Sequence, residues 1–391
     1  MTRLPDHLVR DAALCSVFSA IEAGGHRAYL VGGAVRNALL GQAVDDMDIA
    51  TDARPDRVTE LARAAGLKVV PTGIDHGTVT VVAKHRGFEV TTFRRDVETD
   101  GRHAVVAFSD DLAEDARRRD FTMNALYADQ SGTVIDTVGG LRDLRAGHLR
   151  FVGQPRQRIH EDYLRILRFF RFLAWYGRDC DPDAVAACSQ LRDGLDRIAR
   201  ERVGTEMRKL LSAPNPFPAI ELMQDTGVLH KIMPDADTSW LQRLRDAERR
   251  TGIAPSWQRR LAALVATSNA EPDLRLSRNE TKTLKNLVLA LNERWSLDRA
   301  GFCLGASAGT DIAVLRSALH GLQLSPVWQS DLEAAAAARL PIAAADLAND
   351  LQGPALGAGL RAAQDAWIDS GFVLPVRSLL DVARQAGRNE T

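Results

Sequence analysis

The chain has 391 residues, 45% of them hydrophobic and 26% charged, with a formal net charge of −1. Such a length buries a large core and implies two or more domains, and the composition is that of an ordinary soluble protein. The balanced charge gives no global sign of a nucleic-acid binder, no stretch approaches the roughly 20 apolar residues that span a bilayer, and Cys15, Cys180, Cys188 and Cys303 lack metal-ligand spacing. A reduced cytoplasmic protein is therefore expected, with no membrane role.

The N-terminal run "MTRLPDHLVRDAALCSVFSAI" contains acids and reads as an amphipathic helix rather than a signal peptide. "RAYLVGG" reads as a buried strand ending in a glycine turn, "AVRNALLG" as a helix closed by Gly41, and "DMDIAT" as a second strand. "RPDRVTELARAAG" predicts a helix with Pro55 near its start and Gly66 at its end. "GTVTVVAKHRGFEVTTFR" predicts a hairpin turning at Gly87, and "VETDGRHAVV" a mobile polar loop. After another short strand in "GTVIDTVGG", helical periodicity takes over from about Gln154. "HEDYLRILRFFRFLAWYG" predicts one amphipathic helix with Leu164, Leu167, Phe170, Phe172 and Leu173 for a core, and "LDRIARERVGTEMRKLLSAP" another. The alanine-rich "LEAAAAARLPIAAADLAND" is a good helix former that carries no chemistry.

Four clusters carry chemistry. In "LVGGAVRN", Gly32 and Gly33 lie between a strand and a helix start, where glycine amides can approach a phosphate, with Arg36 one turn further on. A tight strand–helix turn is the blander alternative. Asp46 and Asp48 are two apart on the predicted second strand, hence on one face. Like charges so placed persist if they are well solvated or if a cation sits between them, and the preceding glycine turn favours Mg²⁺. Glu89, on the hairpin, is a third acid that could complete a two-metal phosphoryl-transfer site.

In "ARRRDFTMNALYAD", the forks of Arg118 and Arg119 match phosphate oxygens. Asp120 and Asn124 could share a helical face and bond a ribose hydroxyl; a surface charge run is the alternative. In "EDYLRILRFFR", Asp162 and Arg165 are i,i+3 neighbours, with Arg168 and Arg171 following along a slowly rotating face. A helical ion pair would explain the first two. A sharper reading is that a carboxylate plus a guanidinium matches the amino donor and ring-nitrogen acceptor shared by cytosine and adenine, whereas uracil and guanine present the opposite order.

With "DTVGGLRDL" and "ERVGTEMRKLL", these blocks resemble, in order from about Ala28 to Leu211, the bacterial class II tRNA nucleotidyltransferase/poly(A) polymerase family, and are most like a CCA-adding member. The resemblance implies an α+β fold. A polymerase-β-like nucleotidyltransferase head (a small mixed sheet with helices, residues 1–151) would be followed by an all-helical neck (152–216) and a body and tail that bind tRNA (217–391). It implies template-independent addition of C and A from CTP and ATP to the tRNA 3′ end, with no obligatory protein partner. Asp46 and Asp48 would bind Mg²⁺, with Glu89 as a further catalytic acid. Gly33, Arg36 and Arg119 would contact the nucleotide, Asp162 and Arg165 would read its base, and Arg168 and Arg171 would hold triphosphate or neighbouring groups; Gly32, Asp120 and Asn124 are nucleotide-binding candidates from the residue readings above. "DTVGGLRDL" resembles a hinge between head and neck.

Two positions depart from the family: Asn37 stands where an aspartate is usual, and Ala104 replaces a common proline. Poly(A) polymerases and CC-only or A-only enzymes share the family. "VVPTGIDHGTVTVV" resembles the tRNA-type members, and the loop "RRDVETDGRHAVVAF" is intact, against a CC-only enzyme. A non-catalytic RNA-binding relative has no need of paired metal acids, and a metal-dependent phosphohydrolase would need a histidine–aspartate cluster that the chain lacks.

Overall fold

The structure, a computed structural model, describes residues 2–74, 77–95, 107–268 and 272–389. The chain forms two compact units, Met1–Ala199 with Asp225–Lys231, and Arg200–Gln224 with Ile232–Thr391.

In the first unit the elements run α1 (Asp6–Val9), α2 (Ala12–Ala23), β1 (Ala28–Val31), α3 (Gly33–Leu39), β2 (Ile49–Thr51), α4 (Pro55–Ala64), β3 (Lys68–Val70), β4 (Thr78–Ala83), β5 (Arg86–Thr92), β6 (Arg94–Arg95), β7 (Ala107–Phe108), α5 (Leu112–Arg117), β8 (Leu126–Ala128), β9 (Val134–Asp136), α6 (Gly140–Ala146), β10 (His148–Leu149), α7 (Pro155–Glu161), α8 (Leu164–Tyr176), β11 (Asp179–Cys180) and α9 (Pro182–Gln190). Seven strands form a mixed sheet in the order β3-β4-β5-β2-β1-β8-β9. Within this sheet, among the described residues, β2–β5 is the one parallel pair. Helices α2 and α4 pack against it. The Asp11 carboxylate caps α2 by accepting from Ala13 and Leu14 amides, and Pro55 opens α4 with a φ already suited to a helix. A separate cluster gathers Val31, Ala50, Phe93, Leu112, Ala116 and Tyr127. Helix α8 is seated by aromatic rings: Phe121 lies 4.8 Å from Phe151 and 5.1 Å from Phe172, centroid to centroid.

The structure corrects several sequence expectations. The β4–β5 hairpin turns at Lys84 and His85, with φ of 47° and 64°, not at Gly87, which lies inside β5 opposite Val82. A two-residue turn with positive φ at both positions matches strand twist and keeps Phe88 and Val90 facing inward. The second strand starts only at Ile49, because β1 supplies paired residues from Ala28 to Leu30 alone; the Asp48 carbonyl still accepts from the Val31 amide at 3.0 Å. The single helix expected over 160–177 is two. Asp162 has extended φ/ψ (−153°, 107°), and its carboxylate accepts the Leu164 amide at 3.0 Å, offering the backbone an alternative to helix continuation. The next helix begins at Arg200, after a 3₁₀ turn over Arg192–Arg197 and an extended Ile198. The alanine-rich run is helical only to Ala337, ahead of Pro341, and resumes as a 3₁₀ turn over Ala344–Leu347. The loop expected in "VETDGRHAVV" (97–106), with Ala104, lies outside the described residues.

Further helices are α10 (Arg200–Leu211), α11 (Phe217–Asp225), α12 (Val228–Ile232), α13 (Leu241–Thr251), α14 (Trp257–Leu264), α15 (Arg278–Asn292), α16 (Leu297–His320), α17 (Trp328–Ala337), α18 (Gly353–Asp369) and α19 (Val376–Arg388). Inside the second unit, Glu248 accepts from Arg259 and Arg260, each at 2.8 Å, and Arg260 also caps the Leu211 carbonyl at 2.6 Å. No helix among the described residues is long and apolar enough to cross a membrane.

Candidate nucleotidyl transfer site

The site is built where β1 runs into α3. Gly32 has φ 65° and ψ −120°, a backbone state that only glycine adopts readily. Its amide donates to the Leu126 carbonyl at 3.1 Å, and Gly33 is the more exposed of the pair. Arg36 points inward and is 6% exposed. Its guanidinium donates to the side-chain oxygens of Asn124, Asn37 (3.0 Å) and Tyr176 (2.9 Å), and lies 4.1 Å from the Tyr176 ring centroid. Burial lowers its pKa. Asn37 accepts from Arg36 and donates its amide to the Ala43 carbonyl at 3.2 Å, a bond an ionised aspartate could not make.

Asp46 and Asp48 are exposed on either side of the buried Met47, although all three precede the strand that starts at Ile49. Because Ile49 pairs with Val90 in parallel register, Glu89 stands beside Asp48. Desolvation, then repulsion from Glu89 and Asp46, raise the Asp48 carboxyl above its usual range against the pull of Arg119. Among the described residues, no group of three or more His, Cys, Asp or Glu side chains stands close enough to hold a metal ion. Glu89 acts on this carboxylate pair as a neighbouring negative charge. Two solvent-facing carboxylates in a field of excess negative charge fit a hard divalent cation that keeps water and phosphate as its remaining ligands.

Arg119 is held over this cluster. Its Nε donates to the Tyr127 hydroxyl at 2.9 Å and its Nη2 to Asp115 at 3.1 Å. Burial works to raise the Asp115 pKa, but Arg119, Arg118 and the Tyr127 hydroxyl outweigh it and hold the carboxyl at about 2. Asp120 and Asn124 do not share an α-helical face. Phe121 is in an isolated bridge to Phe151, and residues Thr122–Asn124 make a 3₁₀ turn. The bridge extends the backbone that a helix would have to curl. Asn124 still donates to Asp120 at 3.0 Å, while the other Asp120 oxygen accepts from Arg168 at 2.8 Å. Both residues are buried and engaged within the protein, where they brace the site.

Asp162 and Arg165 are not an ion pair along one helix. Asp162 sits at the break between α7 and α8, and Arg165 bonds Glu161 and the Arg158 carbonyl at 2.8 Å. Arg158 also donates to Glu161, at 2.7 Å. Arg168 is tied to Asp120, and the Arg171 guanidinium lies 4.5 Å from the Phe172 ring centroid. Sequence reasoning missed Asp115, Tyr127, Glu161 and Tyr176. Only Asp115 and Glu161 left a signal, the i,i+4 spacing to Arg119 and Arg165.

Residues 28–150 match the family model of the poly A polymerase head domain, and 179–239 that of the probable RNA and SrmB-binding site of polymerase A. The mitochondrial CCA tRNA nucleotidyltransferase 1 of Mus musculus is 38% identical over 271 residues, which span 68% of this chain and 62% of that enzyme's own length. The CCA-adding enzyme of Lacticaseibacillus paracasei is 32% identical over 395 residues, 96% of this chain and 97% of that one. Among solved structures, the Bacillus stearothermophilus CCA-adding enzyme in complex with CTP is similar with a TM-score of 0.73 and 28% identity, covering 97% of this chain and 98% of that one. With the head fold, the carboxylate pair and a likeness that runs nearly end to end, the chain belongs to the CCA-adding enzyme family, nucleotidyltransferases that use a divalent metal ion.

Proposed function

We propose that this protein adds C and A, from CTP and ATP, to the 3′ end of tRNA without a template, in the cytoplasm, with Mg²⁺ as the metal. The observation that carries the reading is the Asp46–Asp48 pair, open to solvent and electrostatically coupled to Glu89 and Arg119. Mg²⁺ held by Asp46 and Asp48 would make the primer 3′-hydroxyl a better nucleophile and offset charge on the phosphoryl group being transferred. The 3′-oxygen attacks the α-phosphorus, the bond to the bridging oxygen breaks and pyrophosphate leaves.

The chain's own groups do the rest. Gly33, Arg36 and Arg119 bind the nucleotide, and Arg168 and Arg171 add positive charge for its phosphates. Asp162 accepts from the exocyclic amino group of C or A, and Arg165 donates to the ring nitrogen beside it. Uridine and guanosine would leave these groups unpaired. Residues 1–151 serve as catalytic head and 152–216 as base-reading neck. The helices from about Arg150 to Lys209 and residues 217–391 bind tRNA.

The test is incubation with Mg²⁺, labelled CTP or ATP, and tRNA ending before C74, after C75 or after the complete CCA. Two C and one A added in order, then a stop, is the expected result. Long A tracts would mark a poly(A) polymerase, and addition of C alone or A alone a partial enzyme. No incorporation in any arm would mark a non-catalytic RNA binder.

A further inference from the structure

Two side chains of α8 reach α3 and the Asp120–Asn124 segment through one ring of hydrogen bonds. Arg168 donates to Asp120 at 2.8 Å, and Asp120 accepts from Asn124 at 3.0 Å. Asn124 accepts from Arg36, which donates to Tyr176 at 2.9 Å. Arg168 and Tyr176 lie roughly two turns apart on α8, so the helix itself closes the ring. Arg36 enters from the opposite side, one turn beyond the glycine pair.

Tyr176 does two things for Arg36. Its hydroxyl accepts one guanidinium N–H, and its ring covers the guanidinium face at 4.1 Å, with Phe172 at 5.1 Å. A guanidinium this deeply buried needs both partners for its donors and an apolar or aromatic cover for its face. Tyr176 is the last residue of α8 and only partly buried, so filling the core is not its main contribution.

We propose that Tyr176 is a positioning residue of the transfer site: it fixes the Arg36 guanidinium and locks α3, which carries the phosphate-side groups, to α8, which carries the base-reading Arg165. The inference rests on the function proposed above. With both ends of the nucleotide gripped by elements in one register, binding costs little rearrangement. Without Tyr176, Arg36 loses a partner and the two grips can drift apart.

The experiment uses the full chain and compares wild type with Tyr176→Phe and Tyr176→Ala. Calorimetry measures the Kd of CTP and ATP with Mg²⁺, and primer extension on tRNA lacking CCA gives KM and kcat. Tyr176→Ala is expected to weaken both nucleotides about tenfold in Kd and KM, with kcat changed by less than about threefold. Tyr176→Phe, which keeps the ring over Arg36, should recover most of the affinity. It also keeps the test open if Tyr176→Ala fails to fold, since it must still show a smaller loss of the same kind. Variants that fold and bind both nucleotides like wild type would overturn the proposal while leaving the enzyme's function standing, as would a loss confined to kcat. A wild-type chain that binds neither CTP nor ATP would overturn the function itself, and this inference with it.

Discussion

Glu161 accepts a hydrogen bond from Arg158 at 2.7 Å and a second from Arg165, so the arginine proposed to read the base is held by the carboxylate one position before Asp162. Fixing a guanidinium on one side leaves its remaining N–H groups aimed in a defined direction, which is what discrimination by donor–acceptor order requires. Replacing Glu161 with Ala should let Arg165 reorient, and replacing Asp162 with Ala should remove the acceptor itself. Each should relax discrimination against UTP and GTP by roughly tenfold or more, because a bidentate edge contact contributes about 1–3 kcal/mol. Incorporation of all four nucleotides measures this. An unchanged preference order with a uniform drop in activity would reduce both carboxylates to structural partners.

Asp46→Ala or Asp48→Ala should abolish addition of both C and A while leaving tRNA affinity nearly intact, since the metal and the tRNA are proposed to be held by different parts of the chain. Filter binding with labelled tRNA, alongside primer extension, separates the two effects. Wild-type-like addition by either variant would remove the metal assignment.

The pH dependence has a definite sign. Desolvation and the Glu89 and Asp46 charges raise the Asp48 carboxyl, so it takes up a proton at higher pH than an ordinary aspartate and then ceases to be a ligand. In the metal-free protein the Asp48 carboxyl should therefore titrate above the usual aspartate range when followed by carbon-13 NMR. In Glu89→Gln one source of repulsion is gone, and the midpoint should move to lower pH without reaching the ordinary aspartate range, because desolvation remains. A midpoint that stays in place would show that Glu89 does not act on Asp48.

Much of this site was legible in the residues, and the exceptions share a cause. The alternation around Met47, the glycine turn and the aromatic stripe of α8 are local patterns, and local patterns survive folding. What could not be read was which partner a side chain would choose. Arg165 has Asp162 three residues away and Glu161 four away. The choice depended on Asp162 turning its carboxylate to the Leu164 amide, which breaks the helix. The Arg36–Tyr176 contact spans 140 positions and leaves no periodic trace. The hairpin at Lys84–His85 was hidden because neither residue favours positive φ by itself; strand register imposed it.

Asp115 supports Arg119 and should also support the fold. It is buried, bonded to Arg118, Arg119 and Tyr127, and held at about 2, against about 3.9 in an unfolded chain. A carboxyl depressed on folding contributes stability that is fully present above its unfolded value and is lost as pH falls through its folded value. Near neutral pH, Asp115→Asn should therefore cost about 2–3 kcal/mol in urea unfolding. The gap from wild type should narrow between about pH 4 and about pH 2. A gap of constant size across that range would mean that shape rather than charge is what Asp115 supplies.

The net charge of −1 means that any surface attracting a polyanion must be local. Helix α10 presents Arg202 and Lys209, both exposed, while Val203, Met207 and Leu210 are buried. The two basic residues are roughly two turns apart, and so can follow one stripe of phosphates. Replacing both with Ala should weaken tRNA binding and lower the slope of log affinity against log salt by about 2, one unit for each phosphate contact removed. CTP affinity should not change, because the nucleotide is bound by other residues. Titrating tRNA into wild type and the double variant over a series of salt concentrations gives the slope. A parallel line with unchanged slope would place the phosphate contacts elsewhere on the protein.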